Sequence, residues 1–350
     1  MRILCIGLFS VILISSWAQD EIKVYIDLRN VSDDKVAVEF RISGITETEI
    51  EYHMPKIVPG TYSISDFGRF VSGFSAVDKL GKPLPVERLS TNRWKISNSK
   101  SLSKISYWID DSFDKFPGYG KNKLFEPGGV SIDDENQLFI MNTFGFIGYL
   151  QGCKFSPIEL TIDHPASIYG ATSLERVSST SSRDVFTALN YNFLADAPIM
   201  YCEPDTITKK IAGAEILISL FSPNKVLSSE QVMDNIYDLM EAQALYLGGE
   251  LPVDRYTYLI YLFDKPTLSG AYGALEHSYS SLYTLPEQNA ANIGQIVRDV
   301  AAHEFLHIVT PLNIHSEEIH NFDYINPQLS EHLWLYEGVT EYSAQLVQVK

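Results

Sequence analysis

Residues 289–310 read NAANIGQIVRDVAAHEFLHIVT, and this stretch decides the fold of the second half of the chain. Its apolar residues recur at helical spacing, at Ile293, Ile296, Val297 and Val300. The spacing predicts one long helix that carries the motif HEFLH near its end.

The motif occupies residues 303–307 and predicts a metal site. His303 and His307 are four residues apart, so their imidazoles share one helix face and both can reach one ion. Zinc binds neutral imidazole nitrogen in tetrahedral sites, and a catalytic site leaves one position open for water. Glu304 lies beside that face, where its carboxylate can take a proton from the water as general base. A helix with two hydrogen-bonded histidines and no metal is the alternative.

A third protein ligand is expected downstream, on the last predicted helix. Glu337 is the first candidate, because a carboxylate from a second helix completes a His-His-Glu site. Glu341, four residues further on, could accept the second ring N–H of a zinc histidine, and a solvated carboxylate is an equal alternative. Asn313 stands where a metzincin would have its third histidine, which argues against that pattern. The competing third ligands are His315 and His320 and, more weakly, Glu317, Glu318 and Asp323.

A glycine-punctuated segment, residues 269–277, precedes the long helix and leads into a predicted strand at Tyr279. Glycine lets a backbone approach a ligand closely, so a substrate could contact this segment at Gly273 and Ala274. The carboxylate of Glu276 could bind a free α-amine there. An ordinary loop is the default interpretation.

The first half of the chain, residues 22–220, is predicted to consist of β-strands. Apolar and polar residues alternate with period two, for example in residues 23–28 and 36–42, and turn residues separate the runs. Many short strands at this spacing are typical of an antiparallel sandwich. Residues 213–221 are predicted as its last strand, and residues 222–224 as a linker.

Helical periodicity begins after that linker. The predicted elements are a helix from Ser228 or Ser229 to about Leu247, strands over residues 256–263 and 279–285, the long helix, and a last helix from near Ser330 or His332.

The composition excludes some classes of protein. The chain has 350 residues, of which 45% are hydrophobic, so it can form a sizeable core and is predicted to contain about two domains. Its net charge of −17 disfavours binding to nucleic acid and to anionic membrane surfaces. An acidic chain attracts cations, although the charge could serve solubility alone.

Residues 1–18 have the pattern of a secretory signal peptide. Arg2 supplies the positive charge, an apolar run follows, and the small residues before the cleavage site end at Ala18. The run is shorter than the roughly 20 residues of a membrane span, and an uncleaved anchor is the alternative. We therefore expect an exported protein, periplasmic or secreted, with no membrane span after cleavage. Cys153 and Cys202 could pair in that oxidising compartment or remain two thiols.

Taken together, these motifs resemble one family. The chain is similar to the glycyl aminopeptidase-type gluzincin metallopeptidases, family sixty-one of the metallopeptidases. The segments that carry the resemblance are MPKIVPGTY (residues 54–62), DFGR (66–69), LADAPIM (194–200), GALEH (273–277), HEFLH (303–307) and WLYEG (334–338).

The resemblance implies the fold and the roles of the site residues. The implied fold is α+β, with an antiparallel β-sandwich-like domain over residues 19–221 and a thermolysin-like zinc domain over residues 225–350, incomplete at its C-terminus. The implied roles are one zinc ion bound by His303, His307 and Glu337, Glu304 as general base, and Glu276 as the contact to the substrate amine.

The sequence departs from the family in three respects. Ile57 stands where the family usually has tryptophan, and Ala274 replaces the second glycine of its loop. Family members also continue through a helical region and often a PDZ-like domain. A donor that stabilises the tetrahedral intermediate is therefore expected beyond Lys350. The local alternatives for that donor are Tyr272, His277 and Tyr336.

The expected function is that of a zinc aminopeptidase. It would remove small first residues, glycine or alanine, from peptides with a free N-terminus. A zinc endopeptidase with the same site, and an inactive module that binds zinc or peptides, are the alternatives.

Overall fold

The structure is a computed structural model that describes residues 22–61, 63–113, 123–267 and 269–349. The predicted signal peptide lies outside these residues and stays a prediction. The described chain has a mixed fold of helices and strands, with several sheets and few helices.

The strands are β1 (Ile22–Asp27), β2 (Lys35–Arg41), β3 (Glu49–His53), β4 (Val71–Asp78), β5 (Val86–Ser90), β6 (Arg93–Ser97), β7 (Leu102–Asp110), β8 (Val130–Asp133), β9 (Leu138–Met141), β10 (Tyr149–Leu150), β11 (Ile158–Asp163), β12 (Tyr169–Thr172), β13 (Glu175–Thr180), β14 (Arg183–Ala188), β15 (Ile199–Cys202), β16 (Thr206–Ile211), β17 (Ala214–Phe221), β18 (Arg255–Phe263), β19 (Gly273–His277) and β20 (Ser280–Pro286). The helices are α1 (Thr143–Phe146), α2 (Tyr191–Ala195), α3 (Ser229–Tyr246), α4 (Ala290–Leu306), α5 (Glu317–His320) and α6 (Leu333–Gln348).

Strands β1 to β15 form three sheets in the described part of the chain. Their orders are β13-β14-β11-β1-β2-β7-β4, β10-β3-β6-β5 and β12-β15-β9-β8. The predicted period-two alternation is present, since every second residue of β1 and β2 is buried. One pair, β1 with β11, is parallel, whereas an antiparallel arrangement was expected. Alternation reports which residues are buried and not strand direction, and the long connection between β1 and β11 permits a parallel pair.

The later strands form a five-stranded sheet of order β16-β17-β18-β20-β19. Strand β17, which the sequence predicts as the last strand of the first domain, pairs in parallel with β18, and β18 pairs in parallel with β20. Strand β18 is buried along most of its length, as strands between parallel neighbours are. The predicted domain boundaries remain a prediction, but this strand lies in the sheet of the second half.

The long helices begin at the predicted caps. The hydroxyl of Ser228 and the side chain of Gln231 form a capping box at the start of α3. The side chain of Asn289 accepts a hydrogen bond from the backbone of Asn292 at the start of α4. Helix α4 ends at Leu306, earlier than predicted, and turns follow it. Because α4 packs between α3 and α6, its motif-bearing end is held against the last helix.

Two large hydrophobic clusters form the core. One comprises the sheets of the first half, and the other lies between the five-stranded sheet and the helices α3, α4 and α6. Phe322 and Tyr324, from the connection between α4 and α6, are buried in the first cluster. This connection therefore crosses back onto the first half of the chain.

Two further expectations concern membranes and disulfides. Among the described helices, none combines the length and the apolar character that crossing a bilayer requires. Cys202 is a buried free thiol, so it forms no disulfide with Cys153 in the described structure. Burial raises the pKa of the Cys202 thiol to about 12.

Candidate active site

The side chains of the HEFLH motif meet a carboxylate from α6. His303 Nε2 lies 3.0 Å from His307 Nε2 and 3.3 Å from Glu337 Oε2, and His307 Nε2 lies 3.8 Å from the same oxygen. His303 comes from the last turn of α4, His307 from the residue after that helix, and Glu337 from the second turn of α6. The packing of α4 against α6 thus brings the three side chains together.

The other ring nitrogens of both histidines already have partners. His303 Nδ1 donates to Glu341 Oε2 over 3.0 Å, and His307 Nδ1 donates to the backbone oxygen of Thr310 over 3.1 Å. Carboxylate and carbonyl oxygens only accept hydrogen bonds, so both Nδ1 atoms carry the proton in the neutral rings. In the neutral rings each Nε2 atom therefore presents a lone pair to the other and to Glu337, and a cation could bind between them.

The distances between these atoms fit a bound metal ion. Donors about 2.0–2.1 Å from a tetrahedral zinc ion lie about 3.3–3.4 Å from one another. The observed separations of 3.0, 3.3 and 3.8 Å spread around that value. His303, His307 and Glu337 form one of the groups that could hold a metal ion. His-His-carboxylate is a donor set that zinc accepts.

Without a metal, a proton can occupy the same position. Burial lowers the pKa of His303, but its hydrogen bond to Glu337, the charge of Glu304 and the bond to Glu341 outweigh burial and raise it to about 9. A metal ion would thus compete with a proton for this imidazole.

Glu304 is buried next to the three donors, with 8% of the residue exposed. Burial raises the pKa of its carboxyl group well above the ordinary value, and the charge of Glu276 raises it further. Oxygen atoms of Glu276 and Glu304 and a ring nitrogen of His307 all lie within 4.8 Å of one another. The structure thus places the carboxylate of Glu276 beside the motif.

Glu276 belongs to a strand and not to the loop that was the default interpretation. Residues 273–277 form β19, which pairs antiparallel with β20 at the edge of the five-stranded sheet. A segment this short, with a glycine in it, shows too little alternation of apolar and polar residues to predict a strand. Its extended conformation is instead determined by pairing with β20. A Cβ on Gly273 would lie 3.0 Å from the ring of Phe125, and Ala274 packs against the second core cluster.

The competing candidates for the third ligand and for the oxyanion donor do not belong to the group of three donors. His315 and His320 contact each other, with His315 Nε2 3.4 Å from His320 Nδ1, and neither belongs to the group of three donors, although both line the same cavity as Glu337. Tyr336 accepts a hydrogen bond from the backbone of Ser316 and is almost fully buried. Tyr272 is 54% exposed. Of the remaining alternatives, Glu317 and Asp323 are exposed and Glu318 is partly buried on α5. His277 bonds to Asp196.

A cavity of about 430 Å³ opens beside Glu276 and Glu337. Its wall is mainly apolar and comes from both halves of the chain, including Val58 and Phe144 from the first half and Leu333 from α6. This volume is within the range of ligand pockets and exceeds that of a single small residue.

No role was predicted from the sequence for three residues that lie near the site. The backbone oxygen of Thr310 accepts the bond from His307, and a backbone acceptor leaves no signal in a sequence. Gly60 lies against the carboxylate of Glu276, and Asp196 bonds to the residue that follows Glu276. Gly60 and Asp196 lie in segments that carry the family resemblance, and this resemblance was the only feature of the sequence that could have indicated their importance.

Comparison with known proteins gives two family matches. The model of the peptidase M61 N-terminal domain matches residues 23–203, and the model of the M61 glycyl aminopeptidase matches residues 297–350. No curated protein matches the chain.

The fold is similar to that of a solved structure. This is an aminopeptidase N family protein from Idiomarina loihiensis, with a TM-score of 0.77 and 22% sequence identity. The match covers 93% of this chain and 54% of the other, so this chain spans about half the length of that protein. At this identity the similarity concerns the fold. The match to the N-terminal model alone extends over half of the sequence, and the chain therefore belongs to the M61 family of peptidases.

Proposed function

We propose that this chain is a zinc-dependent aminopeptidase with its site on a thermolysin-like domain. The observation that carries the proposal is the convergence of three acceptor atoms, from His303, His307 and Glu337, next to two further carboxylates. Two imidazoles and a carboxylate that face one common point are a donor set that binds zinc, and the further carboxylates add negative charge beside the cation.

The residues have distinct roles in the proposed reaction. When bound, a zinc ion supplies the positive charge that polarises a peptide carbonyl and acidifies water. Glu304 accepts the proton of the attacking water and later delivers it to the leaving amine, because its carboxylate lies beside the metal ligands and is shielded from solvent. Glu341 and the carbonyl of Thr310 hold the two imidazoles in the tautomer that offers Nε2.

Glu276 gives the proposed enzyme its preference for a free N-terminus. Its carboxylate lies within reach of Glu304, so a substrate ammonium group bound to it would place the first peptide bond near the base. A preference for glycine or alanine rests on the family resemblance. The cavity beside Glu276 is larger than such a residue, so it would also hold the residues that follow it.

The proposed location is outside the cytoplasm, in the periplasm or secreted. It rests on the signal-peptide pattern of residues 1–18. Mass spectrometry of the mature N-terminus in the producing cells tests it, and a mature chain that retains residues 1–18 in the cytoplasm would contradict it.

The test of the function uses the purified chain and the p-nitroanilides of glycine and alanine. We expect about one zinc per chain and hydrolysis that a chelator stops and added zinc restores. Glu304→Gln should keep zinc and lose about 10²–10⁴-fold in kcat, since the general base is removed. Glu317→Gln, on the exposed face of α5, is the matched control and should keep full activity.

Two outcomes would count against the proposal. Hydrolysis that is insensitive to chelation would remove the metal from the mechanism. Cleavage of N-acetylated peptides at the same rate as free peptides would favour the endopeptidase alternative.

A further inference from the structure

Two segments of the first half received no role from the sequence. These are residues 54–62 and 194–200, which carry the family resemblance but no metal ligand. In the structure each contributes one residue, Gly60 and Asp196, to the surroundings of β19. This strand presents Glu276.

Asp196 holds the end of β19 through two hydrogen bonds. It follows α2, and its Oδ1 accepts from His277 Nδ1 while its Oδ2 accepts from the backbone N–H of Ser278, each over 3.1 Å. His277 is 4% exposed, so the bond between its ring and the carboxylate is largely screened from water. Both contacted residues follow Glu276 directly, so Asp196 fixes the backbone at that point.

Gly60 leaves open the space that the carboxylate of Glu276 occupies. Its φ is +80°, a conformation that favours glycine. A Cβ placed on Gly60 would lie 2.7 Å from Leu275 Cδ1 and 3.0 Å from each carboxylate oxygen of Glu276. The carboxylate therefore occupies space that any other side chain at position 60 would take.

The position of β19 in its sheet explains why such contacts matter. The strand has five residues and lies at the edge of the sheet, paired with β20 alone among the described strands. A short edge strand has few hydrogen bonds of its own to hold its position. The hydrogen bonds that Asp196 accepts from His277 and Ser278 attach the end of the strand to the first half of the chain.

We propose that Asp196 and Gly60 are positioning residues that hold Glu276 where it recognises the substrate amine, and so make the first half of the chain a determinant of exopeptidase specificity. The inference rests on the proposed role of Glu276. It predicts that changes at either position weaken amine recognition while the metal site remains intact.

The test compares two ligands that differ in one group. L-Alanine hydroxamate and propionohydroxamate both present a hydroxamate to a metal, but only the first carries an amine. Calorimetric titration of the zinc-loaded full chain gives a dissociation constant for each compound. The dissociation constant of propionohydroxamate divided by that of L-alanine hydroxamate measures recognition of the amine. We expect Asp196→Asn, Asp196→Ala and Gly60→Ala to reduce this ratio by roughly tenfold, because a charge-assisted contact is lost, and to leave the affinity for propionohydroxamate unchanged.

Matched controls separate positioning from general damage. Gly81→Ala introduces the same change at a similar φ of +78°, with no atom within 4 Å of the new Cβ. Asp163→Asn removes the charge of a carboxylate that pairs with Arg29 and Arg183. Both variants should keep the ratio of the wild-type protein.

The outcomes distinguish the positioning role of Asp196 and Gly60 from the amine-binding role of Glu276. If the wild-type protein prefers the amine compound and the Asp196 and Gly60 variants keep that preference, the positioning role is wrong and the role of Glu276 stands. If the wild-type protein and Glu276→Ala bind both compounds equally, the amine role of Glu276 is wrong and the positioning proposal fails with it. A variant that also loses affinity for propionohydroxamate has a damaged metal site, which would overturn its assignment as a positioning residue for Glu276.

Discussion

The hydrogen bond between His303 and Glu341 makes a quantitative prediction about metal affinity. His303 Nδ1 donates to Glu341 Oε2 over 3.0 Å, which fixes the ring so that Nε2 faces His307 and Glu337. Replacing Glu341 by alanine removes the acceptor and frees the ring to rotate. The change leaves all three proposed metal ligands in place.

The expected loss of zinc affinity depends on how exposed the carboxylate of Glu341 is. Loss of a hydrogen bond to a metal-binding histidine usually costs about 10–100-fold in metal affinity. The side chain of Glu341 is 56% exposed, so water replaces part of the lost interaction. We therefore expect the lower end of the range, about tenfold, for Glu341→Ala. Glu341→Gln, which keeps an acceptor atom, should lose less.

The effect should also depend on pH. The bonds to Glu337 and Glu341 contribute to raising the pKa of His303 to about 9, so a proton competes with zinc below that value. Loss of Glu341 lowers this pKa and weakens the competition in the variant. The ratio of wild-type to variant affinity should therefore be smaller at neutral pH than above pH 9.

The assay is a competitive titration of the metal-free protein with zinc and a chelating dye. Gln345→Ala is the matched control, because Gln345 Nε2 bonds to the other oxygen of Glu341 and does not touch His303. An equal zinc affinity for wild-type protein and Glu341→Ala above pH 9 would refute the reasoning, and so would an equal loss in Gln345→Ala.

Two further predictions concern stability. Phe305→Ala should reduce the free energy of unfolding by about 3–5 kcal/mol in a denaturant titration, because the ring is fully buried and lies edge-on to Tyr256; a loss below about 1 kcal/mol would contradict this packing. Burial raises the pKa of Glu126, so the folded state binds its proton more tightly than the unfolded state, and stability falls as pH rises above the ordinary glutamate pKa of about 4.3. The thermal unfolding midpoint of Glu126→Gln should therefore rise relative to that of the wild-type protein as pH increases above this value. A difference between the two midpoints that does not change with pH would contradict the burial.

The helices and the metal-site pattern could be predicted because their signals are local. The caps at Ser228 and Asn289 and the helical spacing of the apolar residues locate α3 and α4 to within a few residues at their N-terminal ends. Four-residue spacing also forces His303 and His307 onto one face wherever the helix lies. The end of α4 was less predictable, since apolar residues continue past Leu306 although turns replace the helix.

The arrangement of the strands could not be predicted in the same way. Alternation identifies the buried face of β1 or β17 but is the same for parallel and antiparallel partners. Strand β19 has no alternation long enough to detect, and its conformation depends on β20. Contacts such as Gly60 with Glu276 join residues far apart in the sequence, and a single sequence contains no measure of their distance.

The connection between α4 and α6 links the candidate site to the first half of the chain. It joins the helix that carries His303 to the helix that carries Glu337, and its middle is fixed by Phe322 and Tyr324 in the core of the first half. The backbone of Lys56 donates to the oxygen of Tyr324 over 2.8 Å, so a segment beside Gly60 holds the same connection. One segment of the first half, residues 56–60, thus lies beside both the strand that carries Glu276 and the connection that leads to Glu337. We therefore expect a change in this segment to alter the distance between the two sides of the proposed substrate site. The metal pattern alone would not define that distance.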